Sequence, residues 1–184
     1  MNKRGFTLIE VVVVIFVILI LFTIVISNFS ASKQQFSLSR VASQFEQDVS
    51  RAQNMALSSV PYKNSLGVEQ QIDGYGVYVD LTSLGNKKYI LYADKSPGNN
   101  QYDVSDYIIS QIDFSSNEPG IVIKQINNIT GNNTSINFKL SNLLTSISQI
   151  TAGQNSISVV FTEVSDLTKT KSVLINKSGL IQVQ

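Results

Sequence analysis

The chain begins with a long apolar segment that one acidic side chain interrupts. From Phe6 to Ile26 the sequence reads FTLIEVVVVIFVILILFTIVI, in which Glu10 is the only ionisable residue. An α-helix of that length would be roughly 31 Å long, close to the hydrocarbon thickness of a bilayer. The pattern therefore predicts a membrane-spanning helix.

The charges that flank this segment predict its orientation. Lys3 and Arg4 precede it, and the next basic residue along the chain is Lys33. Because basic residues stay on the cytoplasmic side, we expect a short cytoplasmic N-terminus and a remainder on the outer side of the membrane. A cleaved secretory signal is the alternative, but its apolar region is usually about 7–15 residues long and ends in small residues. Here the run is longer and ends in SNFS, residues 27–30, which favours an anchor that is kept.

An amphipathic pattern follows the apolar run without a strong helix breaker. Apolar residues recur at steps of three and four, which predicts one buried face on an otherwise polar helix. Ser58, Ser59 and Pro61 predict its end, because the residue before a proline is disfavoured in a helix. We therefore expect one helix from Phe6 to about Leu57, with its outer half packed on the domain that follows. The residues of this apolar stripe are Leu38, Val41, Phe45, Val49, Ala52 and Ala56.

From Gly74 onward the hydrophobic period changes to alternation, which is typical of β-strands. Residues 84–87 predict a turn between the first two strands, and residues 176–179 predict a tight turn in which Gly179 supplies a positive φ. No stretch long enough for a crossover helix lies between the strands, so the sheets should be mainly antiparallel. The predicted fold class is α+β, a long N-terminal helix followed by a mainly antiparallel β domain of about seven or eight strands. The strands are expected at residues 75–81, 88–93, 107–114, 121–126, 135–140, 156–164, 171–175 and 180–183.

The composition removes most catalytic chemistry. The chain contains no Cys and no His, which excludes disulfides, thiolate zinc sites, iron–sulfur clusters, cysteine nucleophiles and Ser-His-Asp triads. It also lacks a phosphate-binding loop of the form G-x-x-x-x-G-K-[ST]. The sequence therefore predicts a protein that is not an enzyme and that needs no cofactor.

The net charge argues against a partner that is recognised by charge alone. Fourteen Lys and Arg against thirteen Asp and Glu give a net charge of +1, and from Ser59 onward nine Lys face ten acidic residues. Lys169 and Lys171 form only a small basic spot, whereas binding to phosphates of nucleic acid needs a larger basic surface. We therefore expect no nucleic-acid partner.

One loop carries many oxygen atoms but no recognisable metal-binding spacing. Residues 94–106 include Asp94, Asp103 and Asp106 together with several amide side chains. Calcium is the ion that such oxygen ligands would prefer, but the spacing does not fit an EF-hand. Asp, Asn, Gly and Pro are also the ordinary residues of turns. We therefore expect a solvated turn here and predict no metal site.

Glu10 is the residue of the apolar run that requires an explanation. A carboxylate within such a helix costs about 2.5–3.5 kcal/mol near the centre of a membrane span, and less toward its end. Two explanations stay open from the residues alone. Either the side chain reaches the lipid headgroups, or it pairs with a cation of a neighbouring chain, for which a free α-amino group would serve.

The residues around Glu10 resemble a known signal. The stretch KRGFTLIEV, residues 3–11, resembles the class III signal of type IV pilins and pseudopilins, in which a short basic leader ends in Gly and is followed by Phe, an apolar helix and an early Glu. The resemblance implies that prepilin peptidase cleaves between Gly5 and Phe6 and that the Phe6 amine is then N-methylated. It also implies that Glu10 meets the N-terminal amine of an adjacent subunit when filaments assemble.

The rest of the chain is similar to a narrower group within that class. Phe45, Ala52 and Ala56 on the helix, the all-β remainder and the terminal strand-Gly-strand unit around Gly179 are similar to the pseudopilin H and minor-pilin group of type II secretion and type IV pili. Many major pilins close a C-terminal loop with a disulfide. The absence of Cys therefore favours a minor subunit.

These patterns together predict a leader at residues 1–5, a transmembrane and assembly helix at 6–30, an amphipathic helix at 31–58 and an extracytoplasmic β domain at 59–184. We expect a non-catalytic minor pilin or pseudopilin that crosses the bacterial inner membrane once, with its N-terminus in the cytoplasm, and joins a filament when assembled. Its implied partners are prepilin peptidase, other pilin or pseudopilin subunits and the inner-membrane assembly platform. The alternative is a membrane-anchored binding module for a surface polymer or DNA, in which the N-terminal helix is only a tether.

Overall fold

One long helix precedes the strands of the chain. The computed structural model describes residues 7–140 and 144–184, except for the side chains of residues 24–34. Within this range helix α1 is Leu8–Leu57. The amphipathic pattern and the apolar run that precedes it therefore belong to one helix, as the sequence predicts.

Helix α1 ends where the sequence predicts, and a backbone motif closes it. Ser59 adopts a left-handed conformation with a φ of 46°. Its amide donates to the carbonyl of Ala56, and the amide of Val60 donates to the carbonyl of Met55, both at 3.1 Å. These two hydrogen bonds form a Schellman motif, which satisfies carbonyls that a helix end leaves without partners. Pro61 then prevents the helix from continuing.

The chain divides into two compact units, Met1–Phe36 and Ser37–Gln184, and α1 contributes to both. In the first unit, every described side chain up to residue 23 is exposed. The second unit contains the rest of α1, all strands of the described chain and a hydrophobic core.

The strands that follow α1 in the described chain are β1 (Tyr62–Lys63), β2 (Glu69–Gln70), β3 (Ile72–Asp80), β4 (Lys88–Lys95), β5 (Tyr107–Asp113), β6 (Ile121–Asn127), β7 (Asn133–Lys139), β8 (Thr145–Ile147), β9 (Ser156–Glu163), β10 (Thr170–Asn176) and β11 (Ile181–Val183). Each of the strands predicted from alternation is present, with ends that differ by a few residues. Strands β1, β2 and β8 were not predicted, because two or three residues are too few to show an alternating pattern. Strand β11 is as short as β8 but was predicted, because a recognisable tight turn at residues 176–179 precedes it.

The larger sheet of the second unit has five strands in the order β5-β4-β3-β7-β8, and all neighbouring strands are antiparallel. The predicted hairpin is confirmed by β3 and β4, in which Val77 lies opposite Leu91. On its other side β3 pairs with β7, where Val77 lies opposite Ile136. Residues that lie directly opposite each other in paired strands point to the same face of the sheet. All three of these residues therefore face the core.

The smaller sheet has four strands in the order β11-β10-β9-β6 and is also antiparallel throughout. Strands β1 and β2 form a separate antiparallel pair. The predicted tight turn between β10 and β11 is confirmed, because the amide of Gly179 donates to the carbonyl of Asn176 at 3.0 Å and Gly179 has a φ of 84°. A residue without a Cβ adopts this conformation without strain.

The outer half of α1 packs on both sheets, as its apolar stripe predicts, and every stripe residue is buried. The ring of Phe45 lies edge-on to that of Tyr89 of β4, with centroids 5.0 Å apart, and its centroid is 5.5 Å from that of Phe161 of β9. The hydroxyl of Tyr89 donates to a carboxylate oxygen of Asp48 at 2.6 Å. Phe45 therefore contacts the larger and the smaller sheet at once, and the hydrogen bond to Asp48 fixes the helix to β4.

The outer edges of both sheets are short or irregular. The edge strands β8 and β11 have three residues each. The other edge strands, β5 and β6, each contain a register shift. Short edge strands and β-bulges are devices that keep the edge of one sheet from pairing with another chain. The sheets are therefore poor templates for association through their edges.

Candidate functional site

The start of α1 is organised by Thr7 and Glu10. The amide of Thr7 donates to Glu10 Oε2 at 2.8 Å, and the amide of Glu10 donates to Thr7 Oγ1 at 3.3 Å. The Thr7 hydroxyl also donates to Glu10 Oε2 at 3.0 Å. This reciprocal arrangement is a capping box, which satisfies amides that the first helical turn leaves without partners. It holds the carboxylate at the positive end of the helix dipole.

Only one carboxylate oxygen of Glu10 takes part in this cap. Both hydrogen bonds from Thr7 go to Oε2, and Oε1 has no hydrogen-bond partner in the part of the chain that the structure describes. The side chain is exposed. A carboxylate accepts several hydrogen bonds at once, so Oε1 can accept from a cation of another molecule while the cap stays intact.

The residues around Glu10 present an apolar surface. The apolar side chains from Leu8 to Phe22 are between 45% and 83% exposed. A helix that is apolar on all sides is stable when lipid or other helices cover it. Among the residues that the structure describes, no helical stretch combines the length and the apolarity needed to cross a bilayer.

Two of the predicted site residues, Gly5 and Phe6, lie outside the described residues, and their roles stay predictions. The same holds for the side chains of residues 24–30, which complete the predicted membrane segment 6–30. The structure does add Thr7 to the site. The spacing T-x-x-E at residues 7–10 is the sequence signature of a capping box and could have identified this role.

The acidic loop differs from the solvated turn that the sequence predicts. Asp94 is only 1% exposed, and its Oδ2 accepts hydrogen bonds from the amide of Asn100 at 3.0 Å and from Asn137 Nδ2 at 3.2 Å. Burial raises the pKa of Asp94 to about 6, and the nearby charges of Asp106 and Asp73 act in the same direction. The prediction is wrong for Asp94, because this residue belongs to strand β4, which extends to Lys95, and not to the loop. The loop that follows β4 covers the Asp94 carboxylate.

The other carboxylates of this region also bind the backbone of the loop. Asp73 Oδ2 accepts from the amide of Gly98 at 2.5 Å, and the two oxygens of Asp106 accept from the amides of Lys95 and Asp103 at 2.9 and 2.8 Å. Over residues 7–140 and 144–184, no group of three or more acidic side chains converges as a metal site would require. The loop therefore uses its carboxylates to hold its own conformation.

The small basic spot near the C-terminus is partly neutralised. Lys169 Nζ lies 3.7 Å from a carboxylate oxygen of Asp166 and 4.0 Å from one of Glu163. Because these acidic groups lie beside it, Lys169 does not add to a surface that attracts phosphates.

Comparison with known protein families places the first residues in a described class. Residues 1–26 match the family model described as "Prokaryotic N-terminal methylation motif". Comparison with curated proteins and with solved structures finds no match for the chain. The motif supports a type IV pilin-like protein. A signal of this class implies processing by prepilin peptidase and assembly with other pilin subunits, and it suggests anchoring in the inner membrane before filament formation.

Proposed function

We propose that this chain is a non-catalytic minor pilin or pseudopilin in a filament of the type II secretion or type IV pilus kind. Prepilin peptidase removes residues 1–5, and Phe6 becomes the methylated N-terminus. The mature N-terminal helix then serves as membrane anchor and as assembly element. Within the filament, Glu10 pairs with the Phe6 amine of an adjacent subunit.

The observation that carries this proposal is the division of apolar residues between the two units. The second unit buries the apolar stripe of α1 in its own core. The first unit leaves the apolar side chains from Leu8 to Phe22 exposed. A tether needs only lipid around these residues, but the methylation motif at residues 1–26 favours contact with other subunits as well.

The geometry of Glu10 supports an intersubunit pair. The capping box occupies Oε2 and leaves Oε1 available on an exposed side chain. An ammonium group of a neighbour can bind Oε1 without breaking the cap. In a setting with little water, such a charge-assisted hydrogen bond is stronger than at a protein surface. The cost of keeping a carboxylate in an apolar helix would then be offset on assembly.

The sheets of the second unit support the same assignment indirectly. Their edge strands are short or contain register shifts, which hinders pairing with strands of another chain. The helix is therefore the element best suited to make the contacts between subunits.

Replacement of Glu10 tests the proposal against a simple tether. Glu10→Leu removes the intersubunit pair and makes the helix more apolar, so this variant should insert and be cleaved as the wild type is, yet fail to join filaments. Photo-crosslinking from the N-terminal helix measures contact with partner subunits. Mass spectrometry of the membrane-extracted wild type should show a chain that begins at methylated Phe6, and Gly5→Leu should retain the leader.

Val12→Leu is the matched control, because it changes an apolar side chain of the same helix and should assemble normally. Two results would contradict the proposal. One is a Glu10→Leu variant that crosslinks to partner subunits and restores filament function, which would make Glu10 a residue that reaches the headgroups of a tether. The other is a wild-type N-terminus beyond Ile26, which would indicate ordinary secretion.

A further inference from the structure

Two pairs of tyrosine rings stack face to face in the second unit. The rings of Tyr78 and Tyr102 have centroids 4.7 Å apart and an interplanar angle of 29°. Those of Tyr62 and Tyr107 have centroids 4.8 Å apart and an angle of 16°. Tyr92 also contacts Tyr102, but edge-on, and it is buried. The four stacked side chains are only half-buried, so ring carbons of each pair are in van der Waals contact at a place that small reagents reach.

Tyrosine is the main side chain of this protein that a one-electron oxidant can attack. The sequence contains no Cys and no Trp, which are otherwise readily oxidised, and only two Met. Oxidation of Met gives a sulfoxide and forms no link between side chains. Two oxidised tyrosines that are in contact can instead join through ring carbons, which gives dityrosine. A chain without Cys therefore still has side chains that can form a covalent link.

The two stacked pairs differ in the group that accepts a phenol proton. The hydroxyl of Tyr78 donates to Asp80 Oδ2 at 2.9 Å, whereas that of Tyr107 donates to Gln70 Oε1 at 3.0 Å. A carboxylate can take up a proton, but an amide oxygen is a far weaker base. Lys95 Nζ also lies 5.9 Å from the centroid of the Tyr107 ring, and its positive charge opposes removal of an electron from that ring. Proton-coupled oxidation is therefore favoured at Tyr78.

The ionisation of Tyr78 and Asp80 fits this difference. Burial and the hydrogen bond to Asp80 raise the pKa of Tyr78 above its ordinary value, so the phenol keeps its proton at neutral pH. Burial of Asp80 opposes its ionisation, but hydrogen bonds from Ser83 and Thr82 outweigh this effect and hold the pKa of its carboxyl well below the usual range. Asp80 is therefore ionised in the resting protein. A phenol that has lost an electron is a strong enough acid to transfer its proton even to this weak base.

We propose that Tyr78 and Tyr102 form a site of oxidative cross-linking. A one-electron oxidant removes one electron from each phenol, the proton of Tyr78 passes to Asp80, and the proton of Tyr102 passes to water. The two phenoxyl radicals join through a carbon–carbon bond between ring positions ortho to the hydroxyls, and the hydrogen atoms of those carbons move to the phenoxyl oxygens. The chain has then lost two hydrogen atoms, and the oxidant has gained two electrons. This inference does not depend on the role proposed for the N-terminal helix.

Such a link ties the β4–β5 loop to the larger sheet. Tyr102 belongs to this loop, and its amide donates to Ser135 Oγ of β7 at 2.8 Å, whereas Tyr78 lies on β3. Hydrogen bonds and ring contacts hold the loop in the unmodified protein. A covalent link between positions far apart in the sequence reduces the freedom of the unfolded chain. The linked protein should therefore have a higher Tm than the unmodified one.

Photo-oxidation of the full-length chain, dilute and in excess detergent, tests this proposal. The oxidant is ruthenium tris-bipyridyl with persulfate, a small one-electron reagent that acts during brief illumination. Mass spectrometry should show a monomer that has lost two hydrogen atoms, and peptide mapping should place the link between Tyr78 and Tyr102. The initial rate at this pair should exceed that at Tyr62 and Tyr107 by at least about tenfold, because a positioned base accelerates proton loss by that much or more.

Substitutions within the two pairs separate the roles of the phenol and of the carboxylate. Tyr102→Phe keeps the stacked ring but removes the phenol, so it should abolish the link. Tyr107→Phe is the matched control, since it makes the same change in the other pair and should leave the link at its wild-type yield. Asp80→Asn keeps the shape of the side chain but cannot take up the proton, so coupling of Tyr78 to Tyr102 should become at least about tenfold slower.

The map of the wild-type protein decides the inference even if Asp80→Asn fails to fold. Links formed mainly between Tyr62 and Tyr107, or at equal rates in the two pairs, would overturn the selection of Tyr78 and Tyr102. Links that form only between molecules, with none inside the monomer, would also overturn it, because the stacked rings would then not reach the geometry that coupling needs.

Discussion

The two parts of α1 arrange their apolar residues in different ways. Before residue 24, nearly every side chain is apolar and every described one is exposed. After residue 37, apolar residues recur at steps of three and four and are buried against two sheets. The second part therefore satisfies its apolar surface within its own chain, whereas the first part needs lipid or other helices. One helix thus belongs both to a unit that buries its apolar side chains in its own core and to a unit whose described apolar side chains are exposed.

The carboxylates of the two units differ in a corresponding way. Glu10 in the first unit is exposed and leaves one oxygen without a partner in the described chain. Asp94 in the second unit is buried, and a loop folds over it. A charge that is kept exposed on an apolar helix is available to another molecule, whereas a buried one serves the fold. Substitutions in one unit should therefore affect assembly, and substitutions in the other should affect stability.

The largest expected effect comes from the residue that joins α1 to both sheets. Phe45→Ala should lower the free energy of unfolding of the second unit by about 3–5 kcal/mol, because it leaves a cavity at the centre of the core. The matched control is Phe16→Ala, whose side chain is 63% exposed in the first unit and which should leave that free energy unchanged. Urea titration in detergent, followed by tyrosine fluorescence, measures both. Equal losses for the two variants would show that the exposed side chain of the first unit contributes as much to this stability as the buried one of the second unit.

A second substitution measures how tightly the sheet of the second unit is packed. A Cβ at Gly76 would lie 2.7 Å from the carbonyl oxygen of Ile136 and 2.7 Å from the ring of Tyr92. Gly76→Ala should therefore destabilise the second unit by about 1–3 kcal/mol. Gly120→Ala is the control, since nothing lies within 4 Å of its added Cβ. A neutral Gly76→Ala would show that β3 and β7 can separate at little cost.

Much of this fold could be predicted because its longer elements have a clear period. The stripe from Leu38 to Ala56 and the alternation in β3 and β4 indicate both the type of element and its buried face. The pairing of β3 with β7 and of β6 with β9 could not be predicted, since contacts between strands distant in the chain leave no local pattern. Strands β1, β2 and β8 were missed because they are too short to show a period, whereas β11, which is as short as β8, follows a recognisable tight turn.

The functional residues also differ in whether the sequence alone reveals them. Glu10 was predicted because a single charge in an apolar run is visible in the sequence itself. The burial of Asp94 was missed, because the loop that covers it has the composition of an ordinary turn.

The buried carboxylate of the second unit predicts a dependence of stability on pH. The pKa of Asp94 rises from an ordinary value near 4 to about 6 in the fold. The folded protein therefore holds this proton more tightly than the unfolded chain, so the contribution of Asp94 to stability is greatest below pH about 4 and is lost as the pH rises through about 6. Asp94→Asn should remove this dependence. The difference in Tm between variant and wild type should change between pH 4 and pH 6 and stay constant above that range, and a difference that is flat throughout would contradict the raised pKa.

The smallest expected effect is local and concerns the start of α1. Thr7→Val keeps the shape of the side chain but removes the hydroxyl of the capping box, and loss of such a cap costs about 0.5–2 kcal/mol. Because the second unit has its own core, urea unfolding of that unit should not change. Hydrogen exchange of the first amides of α1 should become faster.

Thr23→Val is the matched control for this prediction, since its hydroxyl donates to the carbonyl of Leu19 at 2.7 Å within the helix and plays no part in the cap. Exchange at the helix start should be unaffected in that variant. If the intersubunit pair proposed for Glu10 is correct, Thr7→Val should reduce filament assembly less than Glu10→Leu does, because the carboxylate remains and only its orientation is loosened. Unchanged exchange in Thr7→Val would show that the cap does not hold Glu10, and the orientation of this carboxylate would then have to come from neighbouring subunits.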